Sequence, residues 1–134
     1  MLAVSGLNHI TLAVSKLDRS FDFYVHLLGL KPHARWTRGA YISTANLWLC
    51  LSVDNASPAQ DYTHLALTIN SSDLSDWENK LLNAGIERWK ENTSEGESLY
   101  FLDPDHHKLE LHVGDLDSRL RAIRNQPYNG LELF

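Results

Sequence analysis

Two histidines and one glutamate, His9, His64 and Glu110, are the residues whose types best suit chemistry. His9 is the third residue of the run Leu7-Asn8-His9-Ile10-Thr11-Leu12-Ala13-Val14, and His64 is the third of Tyr62-Thr63-His64-Leu65-Ala66-Leu67-Thr68-Ile69. Each run leads into an amphipathic stretch. Each half then closes on an alternating strand, 47–53 or 107–113, and aligning those strands sets Cys50 against Glu110. A duplication that repeats a histidine at one position and offers a carboxylate at another is a metal-site signal. Two imidazoles and a carboxylate bind a divalent first-row ion and leave positions open for water or substrate. A lone histidine is more often structural than ligating, so it is the repetition that singles out His9 and His64. Cys50 as a fourth ligand would favour zinc; it is read instead as lining the pocket. His112 shares the face of Glu110 and is the rival ligand. His26, His33, His106 and His107 fall in helical or turn contexts and are expected to be solvated.

The elements that must hold these residues follow from periodicity. Residues 7–14 alternate as a strand. Residues 17–28 switch to helical period, with Leu17, Phe21, Tyr24 and Leu28 on one face and Gly29 as the cap. Residues 41–43 and 47–53 read as a hairpin around 44–46, and 54–61 connect the halves. The second half repeats the order. Residues 62–69 form a strand, 73–84 a helix with Leu74, Trp77, Leu81 and Ala84 inward, 86–90 a short strand, and 91–97 a polar loop. Residues 98–102 and 107–113 form a second hairpin. Residues 115–124 form a helix with Asp115 at the N-cap and Leu116, Leu120 and Ile123 inward. The fold class is therefore α+β, one domain of two tandem βαβββ modules, about 1–57 and 58–134, whose mixed sheets curve into a cup.

Strand parity separates two faces. One is uniformly apolar: Ile10/Leu12/Val14, Leu49/Leu51/Val53, Leu65/Leu67/Ile69 and Leu109/Leu111/Val113. The other carries His9/Thr11, Trp48/Cys50/Ser52, Tyr62/His64/Ala66/Thr68 and Lys108/Glu110/His112. A solvent face favours Lys, Glu and Arg, whereas this mixture suits a lined pocket. Trp48, Cys50 and Tyr62 are accordingly candidates for substrate contact.

A net charge of −5 argues against nucleic acid as a partner. The single cysteine excludes an intrachain disulfide and fits a reducing compartment. No basic-then-apolar opening marks a signal peptide, and no apolar run approaches the roughly 20 residues of a membrane span, so a cytoplasmic protein is expected.

The repeated βαβββ pattern with ligands on its strands resembles the vicinal oxygen chelate superfamily. Within it, nearly the whole chain resembles the manganese-dependent fosfomycin-resistance glutathione transferases. The matches are the run 7–14, Leu47-Trp48-Leu49-Cys50-Leu51-Ser52, Asp61-Tyr62-Thr63-His64, the stretch from Ser94-Glu95-Gly96-Glu97-Ser98 to Asp103-Pro104-Asp105, and Leu109-Glu110-Leu111-His112-Val113-Gly114-Asp115-Leu116. The resemblance implies that His9, His64 and Glu110 bind Mn²⁺ in a swapped homodimer, each site joining His64 and Glu110 to His9 of the partner subunit. It implies that Lys90, Ser94, Ser98, Tyr100 and Arg119 hold the phosphonate of fosfomycin, with Thr11 near its epoxide. A phosphonate dianion calls for such fixed cations and hydroxyl donors. It further implies a K⁺ site at Asn92, Ser94, Gly96 and Ser98. A glutathione channel along Trp36, Arg38, Tyr41, Ser52 and Lys90 is implied as well, Tyr41 assisting thiol ionisation.

Four other readings compete. Epoxide opening by water needs a carboxylate base near residue 41, and 37–43 contain none. A Mg²⁺ enzyme using bacillithiol or cysteine is a near variant. An Fe²⁺ extradiol dioxygenase shares the ligand triad but leaves the phosphonate cluster without purpose. A drug-sequestering protein of the bleomycin-resistance type lacks the triad. The thiol transferase is the expectation carried forward.

Overall fold

Two four-stranded sheets of like topology carry the fold of the described residues. The computed structural model describes residues 2–134. One compact unit comprises the residues up to Pro58 together with Asp103–His107, and the other comprises Ala59–Leu102 and Lys108–Phe134. The first holds strands β1 (His9–Val14), β2 (Lys31–Trp36), β3 (Gly39–Thr44) and β4 (Leu47–Val53) in the order β1-β4-β3-β2. The second holds β5 (Leu65–Thr68), β6 (Arg88–Lys90), β7 (Ser98–Leu102) and β8 (Lys108–His112) in the order β5-β8-β7-β6. In each sheet the outer strand pairs parallel with the last one and the remaining pairs are antiparallel. This is the α+β, doubled βαβββ architecture expected of the vicinal oxygen chelate fold.

Register makes the repeat explicit. Thr11 pairs with Cys50, which pairs with Tyr41. Ala66 pairs with Glu110, which pairs with Tyr100. His9 and His64 each stand two residues before the first member of their row, so Cys50 and Glu110 occupy equivalent positions, and so do Tyr41 and Tyr100.

Among the described residues, three α-helices accompany the sheets. Helix α1 (Leu17–Phe21) continues as a π-helical stretch, Asp22–Leu27, before Gly29 turns the chain at φ 82°. The Leu28 amide bonds to the Phe23 carbonyl at 3.0 Å, the i→i+5 pattern of that wider turn. Within that stretch Phe23 is buried, whereas Phe21, expected inward, is half-buried. Helix α2 (Leu74–Asn83) buries Leu81, but Ala84 caps its end in solvent rather than packing inward. Helix α3 (Leu116–Asn125) starts at Asp115, whose carboxylate accepts the Ser118 amide while the Ser118 hydroxyl accepts the Asp115 amide. Leu116, in its first turn, is 71% exposed, against the expectation that it faces inward. No helix among the described residues is long and apolar enough to cross a membrane.

In the first unit, Tyr24 is fully buried and donates to the Asp103 carboxylate at 2.6 Å. Asp103 also accepts the backbone amides of Asp105 and His107. Asp105 in turn accepts the Ser15 amide and hydroxyl, and the Arg19 guanidinium. His107, expected to be solvated, is half-buried and bonded to the Ala13 carbonyl at 2.7 Å. Burial pushes the Asp103 carboxyl above its usual range, with the Tyr24 hydroxyl and the His107 amide pulling back. A carboxyl raised on folding loses stability for the protein as pH rises through its folded value. Tyr24→Phe removes a donor from that carboxylate and is expected to cost about 1–3 kcal/mol in urea unfolding at neutral pH. The cost should shrink in acid, where Asp103 is protonated.

Candidate active site

His64 precedes β5, and Glu110 lies at the centre of β8, buried at 6% exposure. The imidazole Nε2 is 3.0 Å from Oε1 of Glu110, while Nδ1 is 2.7 Å from the Tyr62 carbonyl. A carbonyl only accepts, so Nδ1 carries the hydrogen and Nε2 of neutral His64 presents a lone pair. Two lone pairs then face each other at hydrogen-bond distance. Only a cation between them, a proton or a metal ion, makes that arrangement favourable, and an imidazole nitrogen with a carboxylate oxygen is a suitable donor set for a divalent metal. Rings of Tyr62, Trp89 and Tyr100 stand 4.8, 5.5 and 6.2 Å from the imidazole and fix its plane. The Trp89 indole is itself anchored to the Leu109 carbonyl at 3.0 Å.

The other oxygen of Glu110 accepts the Ser98 hydroxyl at 2.6 Å and lies 3.2 Å from Nδ1 of His112. Glu110 is thus held from both sides. Nδ1 of His112, the rival ligand, is committed to this contact and to Ser98.

Cations gather in the same unit. Lys90 donates to the Tyr62 hydroxyl at 2.6 Å, and its ammonium sits 4.8 and 4.7 Å from the ring centres of Tyr62 and Tyr100. The hydrogen bond to Tyr62 raises the Lys90 ammonium above its usual range, so it stays charged. Arg119, on α3, donates to the carboxylate and the carbonyl of Glu95 at 3.1 Å each. The Glu95 bond likewise raises the guanidinium. The loop between β6 and β7 folds on Asn92, whose amide donates to the carbonyls of Gly96 (2.7 Å) and Ser94 (3.4 Å). The Asn92 side-chain oxygen accepts the Ser94 hydroxyl at 3.2 Å and the Tyr100 hydroxyl at 3.5 Å. Tyr62, His64, Lys90, Asn92, Ser94, Gly96, Ser98, Tyr100, Glu110 and Arg119 therefore all belong to the second unit.

The remaining predicted residues belong to the first unit. His9 is exposed, stacks on Trp48 at 4.6 Å and bonds Asn8 at 2.6 Å. Tyr41 meets Trp48 at 5.3 Å and Trp36 at 4.8 Å, both edge-on, so an aromatic ladder runs from His9 to Trp36. Thr11, Cys50 and Tyr41 form one row across the sheet, with the Cys50 thiol buried and Tyr41 open. Arg38 donates to the Val53 carbonyl at 2.9 Å, and Ser52 pairs with Gly39. Among the described residues, no three His, Cys, Asp or Glu side chains converge well enough to hold a metal.

Sequence reasoning missed Trp89 as the wall of the His64 pocket, Glu95 as the partner of Arg119, and the bond between His112 and Ser98. The pairing of residues 98 and 112 in the second hairpin was the available signal for the last.

A family model for the Glyoxalase/Bleomycin resistance protein/Dioxygenase superfamily matches residues 6–111. A glutathione transferase FosA of Serratia marcescens is 53% identical over 133 residues, covering 96% of this chain and 94% of its own. A metallothiol transferase FosB of Shouchella clausii is 38% identical over 125 residues, covering 87% and 86%. Among solved structures, the fosfomycin resistance protein FosX of Listeria monocytogenes, complexed with Mn(II) and sulfate, superposes with a TM-score of 0.82 at 30% identity, covering 90% of this chain and 98% of that one.

Proposed function

The chain belongs to the glyoxalase/bleomycin resistance protein/dioxygenase superfamily, and on that footing we propose that it is a metal-dependent transferase adding the thiol of glutathione to the epoxide of fosfomycin. The observation that carries this is the facing pair of His64 Nε2 and Glu110 Oε1, 3.0 Å apart, in the same unit as the cations Lys90 and Arg119. The chain is 53% identical to a glutathione transferase FosA, which supports the same reading.

His64 and Glu110 supply two metal ligands from the second unit, and His9 of the partner subunit supplies the third in a swapped homodimer. The exposure of His9 supports that exchange. Mn²⁺ is the ion we assign, in keeping with the Mn(II) complex of FosX. When bound, it supplies Lewis acidity to the epoxide oxygen and an anchor for the phosphonate.

The chain's own residues do the rest. Lys90 and Arg119 neutralise the phosphonate dianion, and the hydroxyls of Ser94 and Tyr100 donate to its oxygens, beside Ser98, whose own hydrogen goes to Glu110. Tyr62 borders the carbon skeleton, and by the same exchange it meets Trp48 of the partner subunit and Cys50 of the partner subunit, while Thr11 of the partner subunit donates to the oxygen leaving carbon. Trp36, Arg38 and Ser52 line the approach of glutathione on the first unit, where the Tyr41 hydroxyl supports its sulfur as thiolate, and Lys90 of the partner subunit faces the same thiol in the swapped dimer. The thiol proton passes to water, the new C–S bond forms as the C–O bond breaks, and the oxygen takes a proton from water to become a hydroxyl. Holding sulfur and carbon in line is the protein's largest contribution. Asn92, Ser94, Gly96 and Ser98 bind K⁺, a cation suited to loop carbonyls and hydroxyls, which adds positive potential for the anionic substrate. Opening by water is disfavoured because β3 carries no carboxylate to serve as base.

Metal-stripped protein, incubated with fosfomycin and glutathione with and without Mn²⁺ and K⁺, tests this by mass spectrometry. A glutathione adduct that requires Mn²⁺ and rises with K⁺ is expected. An adduct formed equally without metal, or a diol in place of the adduct, would overturn the reading.

A further inference from the structure

His112 is the least explained polar side chain of the site, and its surroundings are unusually constrained. A Cβ on Gly96 (φ 76°) would collide with the Val113 carbonyl and come within 2.8 Å of the His112 ring. A Cβ on Gly114 would come within 3.1 Å of Nε2 of His112 and 2.9 Å of the Ser118 hydroxyl. Both glycines are therefore close-approach positions, and the imidazole lies against both of them. What remains for the ring is its Nδ1 edge, which is 2.6 Å from the Ser98 hydroxyl oxygen. That hydroxyl donates to Oε2 of Glu110 at 2.6 Å. Since the hydroxyl hydrogen goes to the carboxylate, its oxygen accepts from Nδ1–H. Strand geometry enforces the relay: Ser98 and His112 are paired across β7 and β8, and Glu110 shares the face of His112.

We propose that His112 is a positioning residue that acts through Ser98, fixing the Glu110 carboxylate so that Oε1 is turned toward Nε2 of His64. The proposal rests on His64 and Glu110 being metal ligands. A carboxylate whose Oε2 accepts a hydroxyl that an imidazole N–H itself holds in place cannot rotate freely, so the entropy of orienting the ligand is spent on folding rather than on metal binding. Partners of this kind typically carry 10–100-fold in metal affinity. The two glycines are what make the device possible, since any side chain at 96 or 114 would displace the ring.

The test is Mn²⁺ affinity of the full chain, measured by the electron paramagnetic resonance signal of free Mn²⁺ at fixed pH, without K⁺ or substrate. Ser98→Ala and His112→Phe should each weaken binding about tenfold or more. The double variant should be little worse than either single one, because the two act in series. His112→Asn, whose side-chain amide donates from near the place of Nδ1, should recover most of the loss. Affinity within twofold of the parent in Ser98→Ala would overturn the proposal even if His112→Phe fails to fold. Equal loss in His112→Asn and His112→Phe would overturn it too. Glu110→Gln and His64→Ala, measured alongside, separate the two levels. If they also leave affinity unchanged, the metal-site reading itself fails; if they alone lose Mn²⁺, only the role of His112 and Ser98 falls.

Discussion

His64→Ala is expected to lower kcat/KM for fosfomycin at least about 1000-fold, some 4 kcal/mol of transition-state stabilisation. It should also abolish measurable Mn²⁺ binding, while far-UV circular dichroism stays that of the parent. The substitution removes one of the two ligands proposed for the second unit and leaves Glu110 held by Ser98 and His112. The competing account makes His64 an imidazolium whose only task is to pair with the buried Glu110 carboxylate. Removing such a partner strands a buried charge and costs about 3–5 kcal/mol of stability. A variant that melts far below the parent yet binds Mn²⁺ with parental affinity would support that account and remove His64 from the metal site.

Arg119→Ala should reduce kcat/KM for fosfomycin about 100-fold, close to 2.7 kcal/mol, while the KM for glutathione stays within about twofold. Arg119 is already engaged by the carboxylate and carbonyl of Glu95. A phosphonate bound there shares a guanidinium that is pre-oriented, not a free side chain that must be captured from solvent. Arg119→Lys keeps the charge and loses the fork, so it should fall between the parent and Arg119→Ala. Equal losses toward fosfomycin and glutathione would mean that Arg119 holds the loop 91–97 through Glu95 and never touches the phosphonate.

Strict alternation made β1, β4, β5 and β8 legible in the sequence, because each has one face that must be buried. Strand β2 carried no such signal: all six of its residues are exposed and its pairing slips between Pro32 and Ala34. The doubled order of elements calls for a strand there but does not locate it. The helical period placed Leu17, Tyr24 and Leu28 correctly and passed over the buried Phe23, since an i→i+5 turn is a cooperative backbone choice that residue spacing does not report. The pairing of His64 with Glu110 was legible because the repeat marked both positions. The bond from His112 to Ser98 was not, because it depends on room left by Gly96 and Gly114, which spacing alone does not reveal. Glu95 read as one polar residue in a polar loop, and only the fold shows it beside Arg119.

The turn Asp103–His107, which belongs to the first unit although it is encoded near the far end of the chain, sets an order on biosynthesis. During translation the first β-sheet leaves the ribosome long before the carboxylates that Tyr24, Ser15 and Arg19 require. Until residue 107 has emerged, the nascent first half holds a buried tyrosine hydroxyl without its acceptor. The amino-terminal half can therefore complete its hydrogen bonds only after residue 107 has been made. A gene cut after codon 58 would encode a fragment lacking those acceptors, so the first repeat is not a self-sufficient unit of sequence.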